Sequence, residues 1–180
     1  MQGRDNIGLT TLTASGGNAA KLNPANLTDI TRLASRGDTQ EPLIGRQAGM
    51  SAAITTVNAQ LALLQAIDIV PPVVDDPFEY GGIAAANAMG NIYALGGTIT
   101  VGLHVAVWPE GLSIELLGQI IAGASAKMAE VGAAITGGQT VTADSPLFGL
   151  SITGTVDPAH ILSTAGARPG DRLYLTEARS

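Results

Sequence analysis

The segment Val73–Gly97, VVDDPFEYGGIAAANAMGNIYALGG, constrains the fold more than any other part of the chain. It opens on an acid-and-proline turn. Asp75, Asp76 and Pro77 end whatever strand precedes them, because proline fixes its own φ and offers no N–H to a ladder. Beyond the turn, Ile83, Ala84, Ala85, Ala86, Ala88, Met89, Ile92 and Leu95 recur at helical spacing. The spacing predicts a helix over about 80–95, stopped by Gly96-Gly97. So many alanines admit a very close neighbour, either a packed backbone or a ligand.

Around this helix the chain alternates strand and helix signals. Ala52–Val57 and Leu61–Val70 read as two strands joined by a turn at Asn58-Ala59-Gln60. On the second, Leu61, Leu63, Gln65, Ile67 and Ile69 face one way and Leu64, Ala66 and Asp68 the other. Both sides are largely apolar, so both are expected to be covered. Thr98–Trp108 is a third strand, with Val101, Leu103, Val105 and Val107 alternating with Gly102, His104, Ala106 and Trp108. Ser113 caps a helix running to about Val131, with Glu115 in its first turn and Gly132 as its stop. Its buried stripe is Leu117, Ile120, Ile121, Ala124 and Met128. Ala133–Gly137 reads as a short strand entering a Gly137-Gly138 turn, and Leu147–Val156 as a longer strand. Pro158–Ser163 is a helical turn, and Asp171–Leu175 a last strand. Before the first strand, Leu9–Pro24 is a Gly/Ala/Ser/Asn loop, mobile unless something binds it. Asn26–Ala34 reads as a short helix and Ser35–Gly49 as loop. The fold class is α+β: one mainly antiparallel or mixed sheet with helices packed on one face.

A length of 180 residues predicts a single domain over 1–180 with a real core. The chain is 46% hydrophobic but only 13% charged, which excludes disorder and leaves little charge to cover a surface. A buried partner face, most simply in a homodimer, accounts for that; a surface of Thr, Ser, Gln and Asn is the alternative. The net charge of −6, with no basic run and 3% aromatic residues, argues against nucleic-acid binding. Without cysteine there is no disulfide, thiolate nucleophile or Cys-based zinc site. No apolar run reaches membrane-spanning length, and MQGRDNIGLT has no apolar signal core. A cytoplasmic protein with no membrane partner is the simplest reading.

Several stretches in order, ASGGNAAKLNP, QAIDIVPPVVDDPFEYGGIAAANAMGNIYALGG, WPEGLSIELL, AITGGQT, LFGLSITGTV and ARPGDRLYLT, resemble the first, ATP-binding half of selenide, water dikinase (selenophosphate synthetase). That family lies within the aminoimidazole-ribonucleotide synthetase-like ATP-binding proteins. The resemblance covers nearly the whole chain and is most specific around Asp75–Gly97. It implies ATP and Mg²⁺ as cofactors. It further implies sheets that pair across a two-fold axis into a shared barrel in a homodimer, and a second domain that begins after Leu173–Thr176 and is absent from this sequence.

The resemblance also assigns residues. Lys21, in AAKLNP, takes the place of a phosphate-binding lysine; a solvated loop lysine is the alternative. Asp68, in AIDIV, matches an aspartate associated with metal; an otherwise apolar strand face makes a lone carboxylate costly unless paired or metal-bound. Otherwise Asp68 would accept backbone N–H bonds or pair with an arginine. Asn87 is kept, and Asn91, Gly137 and Gly138 fall at nucleotide-contacting positions. Elsewhere the chain departs from the family. Met50-Ser51 replace a double aspartate, Gly90-Asn91 a Ser-Asp pair, and Gly137-Gly138-Gln139 a Gly-Gly-His turn. Thr142 and Ser145 replace acids, with Asp144 nearby, and the chalcogen position is Asn18. Two Mg²⁺ ions beside a triphosphate need several anionic ligands, and losing their charge stabilisation costs several kcal/mol, roughly a thousandfold in rate.

Other constellations carry less. There is no Gly-x-Ser-x-Gly elbow and no P-loop lysine. His104 reads as a half-buried packing residue, and His160 lies at a helix start. Asp75, Asp76 and Glu79 are either a small cation site or acids of a turn and a helix N-terminus, the second being the simpler account. Trp108 is a strand-end anchor. The leading expectation is a non-catalytic, self-associating, selenophosphate-synthetase-like domain with weakened ATP and Mg²⁺ binding. The alternatives are an ATP- and Mg²⁺-dependent selenide kinase or half of one, and a module that holds a nucleotide without reacting it.

Overall fold

The computed structural model describes residues 8–23, 26, 52–163 and 166–174. The expected helix 26–34, the loop 35–49 and the Met50-Ser51 departure therefore lie outside the described residues, Asn26 apart.

Five strands and two long helices make the body. They are β1 (Ala52–Asn58), β2 (Leu61–Val70), α1 (Pro77–Tyr93), β3 (Thr98–Val107), α2 (Ile114–Ala129), β4 (Ala134–Val141) and β5 (Leu147–Val156). The sheet is open, in the order β1-β2-β5-β3-β4. β1–β2, β2–β5 and β5–β3 pair antiparallel, and only β3–β4 is parallel. So β2, β3 and β4 run the same way, joined by α1 and α2 as crossovers, and β5 returns to fill the gap between β2 and β3.

α1 starts three residues earlier than its apolar spacing predicts, because the turn itself supplies the start. Asp76 caps it by accepting from the Glu79 N–H at 2.8 Å, and Pro77 takes the first helical position, where no N–H is needed. Tyr80 is fully buried and donates its hydroxyl to the Val70 carbonyl at 2.6 Å, which binds the first turn of α1 to the end of β2. The alanines serve packing. Ala84, Ala85 and Ala88 are buried. A Cβ at Gly81 would come 1.9 Å from the Ile120 carbonyl oxygen, and one at Gly123 would come 1.9 Å from that of Phe78, so α1 and α2 cross backbone against backbone. α2 is capped by Ser113, as expected, and buries Leu117, Ile120, Ala124 and Met128, with Ile121 half-buried.

The core lies between the helices and one sheet face. Ala62, Leu64, Ala66 and Val70 of β2, and Phe148, Leu150 and Ile152 of β5, point into it. Among the described residues, helices cover only one of the two faces expected to be covered. Leu61, Leu63 and Ile69 are half-buried, and Ile67 and Leu103 are about half exposed, so the apolar character of the second face has no cover among the described residues. The Gly137-Gly138 turn is also corrected: β4 continues through both glycines to Val141, because β3 runs on beside it and keeps the parallel ladder going. Residues 171–174 form no strand; Leu173 and Tyr174 are exposed and lack a ladder partner among the described residues.

The N-terminal segment is more ordered than a loop. It forms 3-10 turns at Leu9–Leu12 and Gly17–Ala20, and Leu9 is buried in the core. Thr10 donates its N–H (2.9 Å) and its hydroxyl (2.7 Å) to Asp75 Oδ1. Those bonds, the side-chain one first, hold the Asp75 carboxyl below the usual carboxylate range. The folded-state value lies below the unfolded one. This contribution to stability is therefore complete above the unfolded carboxylate range and is lost as the pH falls through the folded value. Thr10→Val should make the fall of the urea midpoint below pH 5 shallower than in the parent; equal slopes would contradict the contact.

Candidate functional site

The candidate site is assembled where β2, the flank of α1 and the N-terminal segment meet. The alternation that buries Leu64 and Ala66 also turns Asp68 inward, and it is the one charged residue buried among those described, 7% exposed. Lys21 follows the 3-10 turn Gly17–Ala20, whose Gly17 N–H donates to the Pro71 carbonyl at 3.2 Å. That bond brings the segment back across the end of β2. The Lys21 ammonium then reaches both Asp68 oxygens: it donates to Oδ2 at 2.8 Å, and Oδ1 lies 2.7 Å away with a charge contact but no hydrogen-bond geometry. Asn87 and Asn91 sit one turn apart on the half-buried flank of α1. The Asn91 amide donates at 3.5 Å, the long limit of a hydrogen bond, to Asp68 Oδ2 and to the Asn87 carbonyl oxygen.

Four of the six expected residues thus come together: Lys21, Asp68, Asn91 and, through its main chain, Asn87. Gly137 and Gly138 do not join them. They lie on edge strand β4, and β5 and β3 stand between them and β2. The register row runs Asp68, Leu150, His104, Gly138, and Leu150 is fully buried between the two ends. Gly138 answers to packing instead: a Cβ there would come 2.2–2.4 Å from the carbonyl oxygen and ring of His104. His104 is half-buried, its Nε2 3.4 Å from Thr140 Oγ1, in keeping with a packing role. Trp108 is the expected strand-end anchor, buried, with its main-chain N–H on the Val141 carbonyl at 2.8 Å.

Asp68 does not fit a divalent ion in this arrangement. Magnesium requires several oxygen ligands in a near-ideal octahedron. Here both carboxylate oxygens face an ammonium, and no cluster of three or more His, Cys, Asp or Glu that could hold a metal occurs among the described residues. Asp75 and Asp76 are spoken for as turn and cap groups, Asp75 holding Thr10 and Asp76 the Glu79 N–H, and Glu79 is an acid in the first turn of α1. The Thr10–Asp75 clasp had no direct signal in the residues themselves, beyond one acid more than the helix cap needs. The buried Leu9 was likewise hidden in a polar-looking stretch.

The arrangement of sheet and helices matches solved structures. AaThiL complexed with AMPPCP and TMP superposes with a TM-score of 0.63 at 16% identity, over 83% of this chain and 48% of that one. Thiamine monophosphate kinase from Aquifex aeolicus gives 0.60 at 16% identity, over 82% and 47%. At that identity the likeness establishes the fold class. Residues 49–156 match the family described as AIR synthase related protein, N-terminal domain, and the chain belongs to that family. Among curated proteins it is similar to the selenide, water dikinase of Citrifermentans bemidjiense, 40% identical over 174 residues, 96% of this chain and 51% of that protein. The chain spans about half the length of the curated relatives it matches. No helix among the described residues is long and apolar enough to cross a membrane.

Proposed function

We propose that this chain is the nucleotide-binding half of a selenophosphate-synthetase-like protein, that it self-associates, and that it transfers no phosphoryl group by itself. The Lys21–Asp68–Asn91 cluster carries the reading. An ammonium near the Asn91 side-chain amide suits the anionic oxygens of ATP. The same cluster disfavours magnesium, since the buried carboxylate is already neutralised by Lys21. The similarity to selenide, water dikinases and to a ThiL structure holding AMPPCP supports ATP as the nucleotide. A cytoplasmic location belongs to the same reading.

Self-association is supported by the open sheet face, where Leu63, Ile67 and Ile69 of β2 lie in one sheet with Leu103, Val105 and Val107 of β3. A second copy laid on this face would bury the apolar surface that the helices leave uncovered. Light scattering should give a dimer; a monomer at high micromolar concentration would remove this part. A second reading, the ATP-binding half of an active selenide kinase completed by further chain, is favoured by the 40% identity to a named enzyme. Phosphate release from ATP with selenide and magnesium separates the two. No release is expected, and turnover that disappears in Lys21→Ala would establish the enzyme.

A further inference from the structure

Asp68 brings one negative charge to the candidate site and Lys21 one positive, and Asp68 is the one charged residue buried among those described. Asn91, the third member, adds no charge. Its Nδ2 has two oxygen neighbours at 3.5 Å, Asp68 Oδ2 and the Asn87 carbonyl oxygen. Both of those oxygens accept, so the position calls for a donor, and an amide supplies one while leaving the charge count unchanged. Asn91 and Asn87 are both half-buried, so a charge placed at 91 would be screened less than one on the open surface.

We propose that the side chain at position 91 decides which cation this site accepts, an inference that rests on the reading of the site as disfavouring magnesium. With an amide at 91, one ammonium balances one carboxylate. A divalent ion would bring surplus positive charge to a neutral place. It would also have to displace Lys21 from contacts of 2.7 and 2.8 Å, with a single carboxylate as its anionic ligand. Aspartate has nearly the shape of asparagine. At 91 it would put a carboxylate oxygen where Nδ2 stands, 3.5 Å from Asp68 Oδ2. Two carboxylates so close repel each other and exceed what one ammonium balances. A divalent ion answers both, since one or two carboxylates and several waters make up a magnesium-type shell. A single side chain of unchanged size therefore separates a site neutralised by the chain's own ammonium from a site that needs a metal.

Manganese chloride alone, without nucleotide, is the probe, read by the electron paramagnetic resonance signal of the free ion. The parent chain should bind it weakly. Asn91→Asp should bind it at least about tenfold tighter, as a pair of carboxylates does relative to one. Lys21→Met frees Asp68 but adds no acid, and should gain less than about threefold. Manganese should also raise the melting temperature of Asn91→Asp and leave that of the parent where it was. No gain in Asn91→Asp, or an equal gain in Lys21→Met, overturns the inference and leaves the reading of the parent site standing. Tight manganese binding by the parent overturns that reading itself. Should Asn91→Asp fail to fold, Lys21→Met decides alone: a gain of about tenfold there would place the selection on the lysine and remove it from position 91.

Discussion

Gly149→Val is expected to destabilise the domain by about 3 kcal/mol or more, the upper part of the range for overpacked positions. A Cβ at Gly149 would stand 1.8 Å from the Asp68 carbonyl oxygen and 2.6 Å from the Ile69 Cα. Both obstacles are main chain, so no rotamer change relieves them. β5 is held between β2 and β3, and neither neighbour can move without breaking a ladder. The strand that must yield is the one that carries Asp68, so the substitution also displaces the candidate site. Gly90→Ala is the internal control. It lies in the same domain, in the last turn of α1 and exposed, with nothing within 4 Å of an added Cβ. There alanine should add about 0.5–1 kcal/mol through helix propensity and the reduced entropy of the unfolded chain. Urea midpoints of the two variants should move in opposite directions. A Gly149→Val midpoint within error of the parent would mean that the β2–β5 approach is wrong.

The second large effect concerns Lys21 and Asp68. Removing the ammonium alone, in Lys21→Met, leaves a buried carboxylate without its counter-charge and should cost about 1–3 kcal/mol. That is less than the loss of a fully buried pair, because the lysine side chain is 38% exposed and partly screened by water. Replacing both partners, in Lys21→Met with Asp68→Leu, should recover most of the loss, since no charge is then left in the apolar face. The double-mutant cycle should return a coupling of about 1 kcal/mol or more. A Lys21→Met stability equal to that of the parent would show that Asp68 draws its compensation from elsewhere.

The periodic elements were legible because period and punctuation agreed in them. The alternation in β2, the Ser113 cap and the Gly132 stop each carry their own local signal, and the structure follows them to within a few residues. The errors have a common physical origin. A Gly-Gly pair suits a turn, but the parallel ladder with β3 and the closeness of His104 put Gly138 inside a strand. The RLYL stretch alternates as a strand should, yet residues 172–174 meet no ladder partner among those described. Leu9 and Thr10 look like loop, and only long-range contacts to the core and to Asp75 order them. For the site, Asp68 was legible because a charge stood in an apolar alternation. That Lys21 would meet it was not, because 47 residues separate them and no local pattern links a loop lysine to a strand.

Calorimetry of ATP binding to the intact chain, with and without magnesium, tests most directly the claim that Lys21 stands in place of a metal at Asp68. Weak binding that changes little when magnesium is added, and that is lost in Lys21→Met, is the predicted result. Tight binding that appears only when magnesium is present would contradict it.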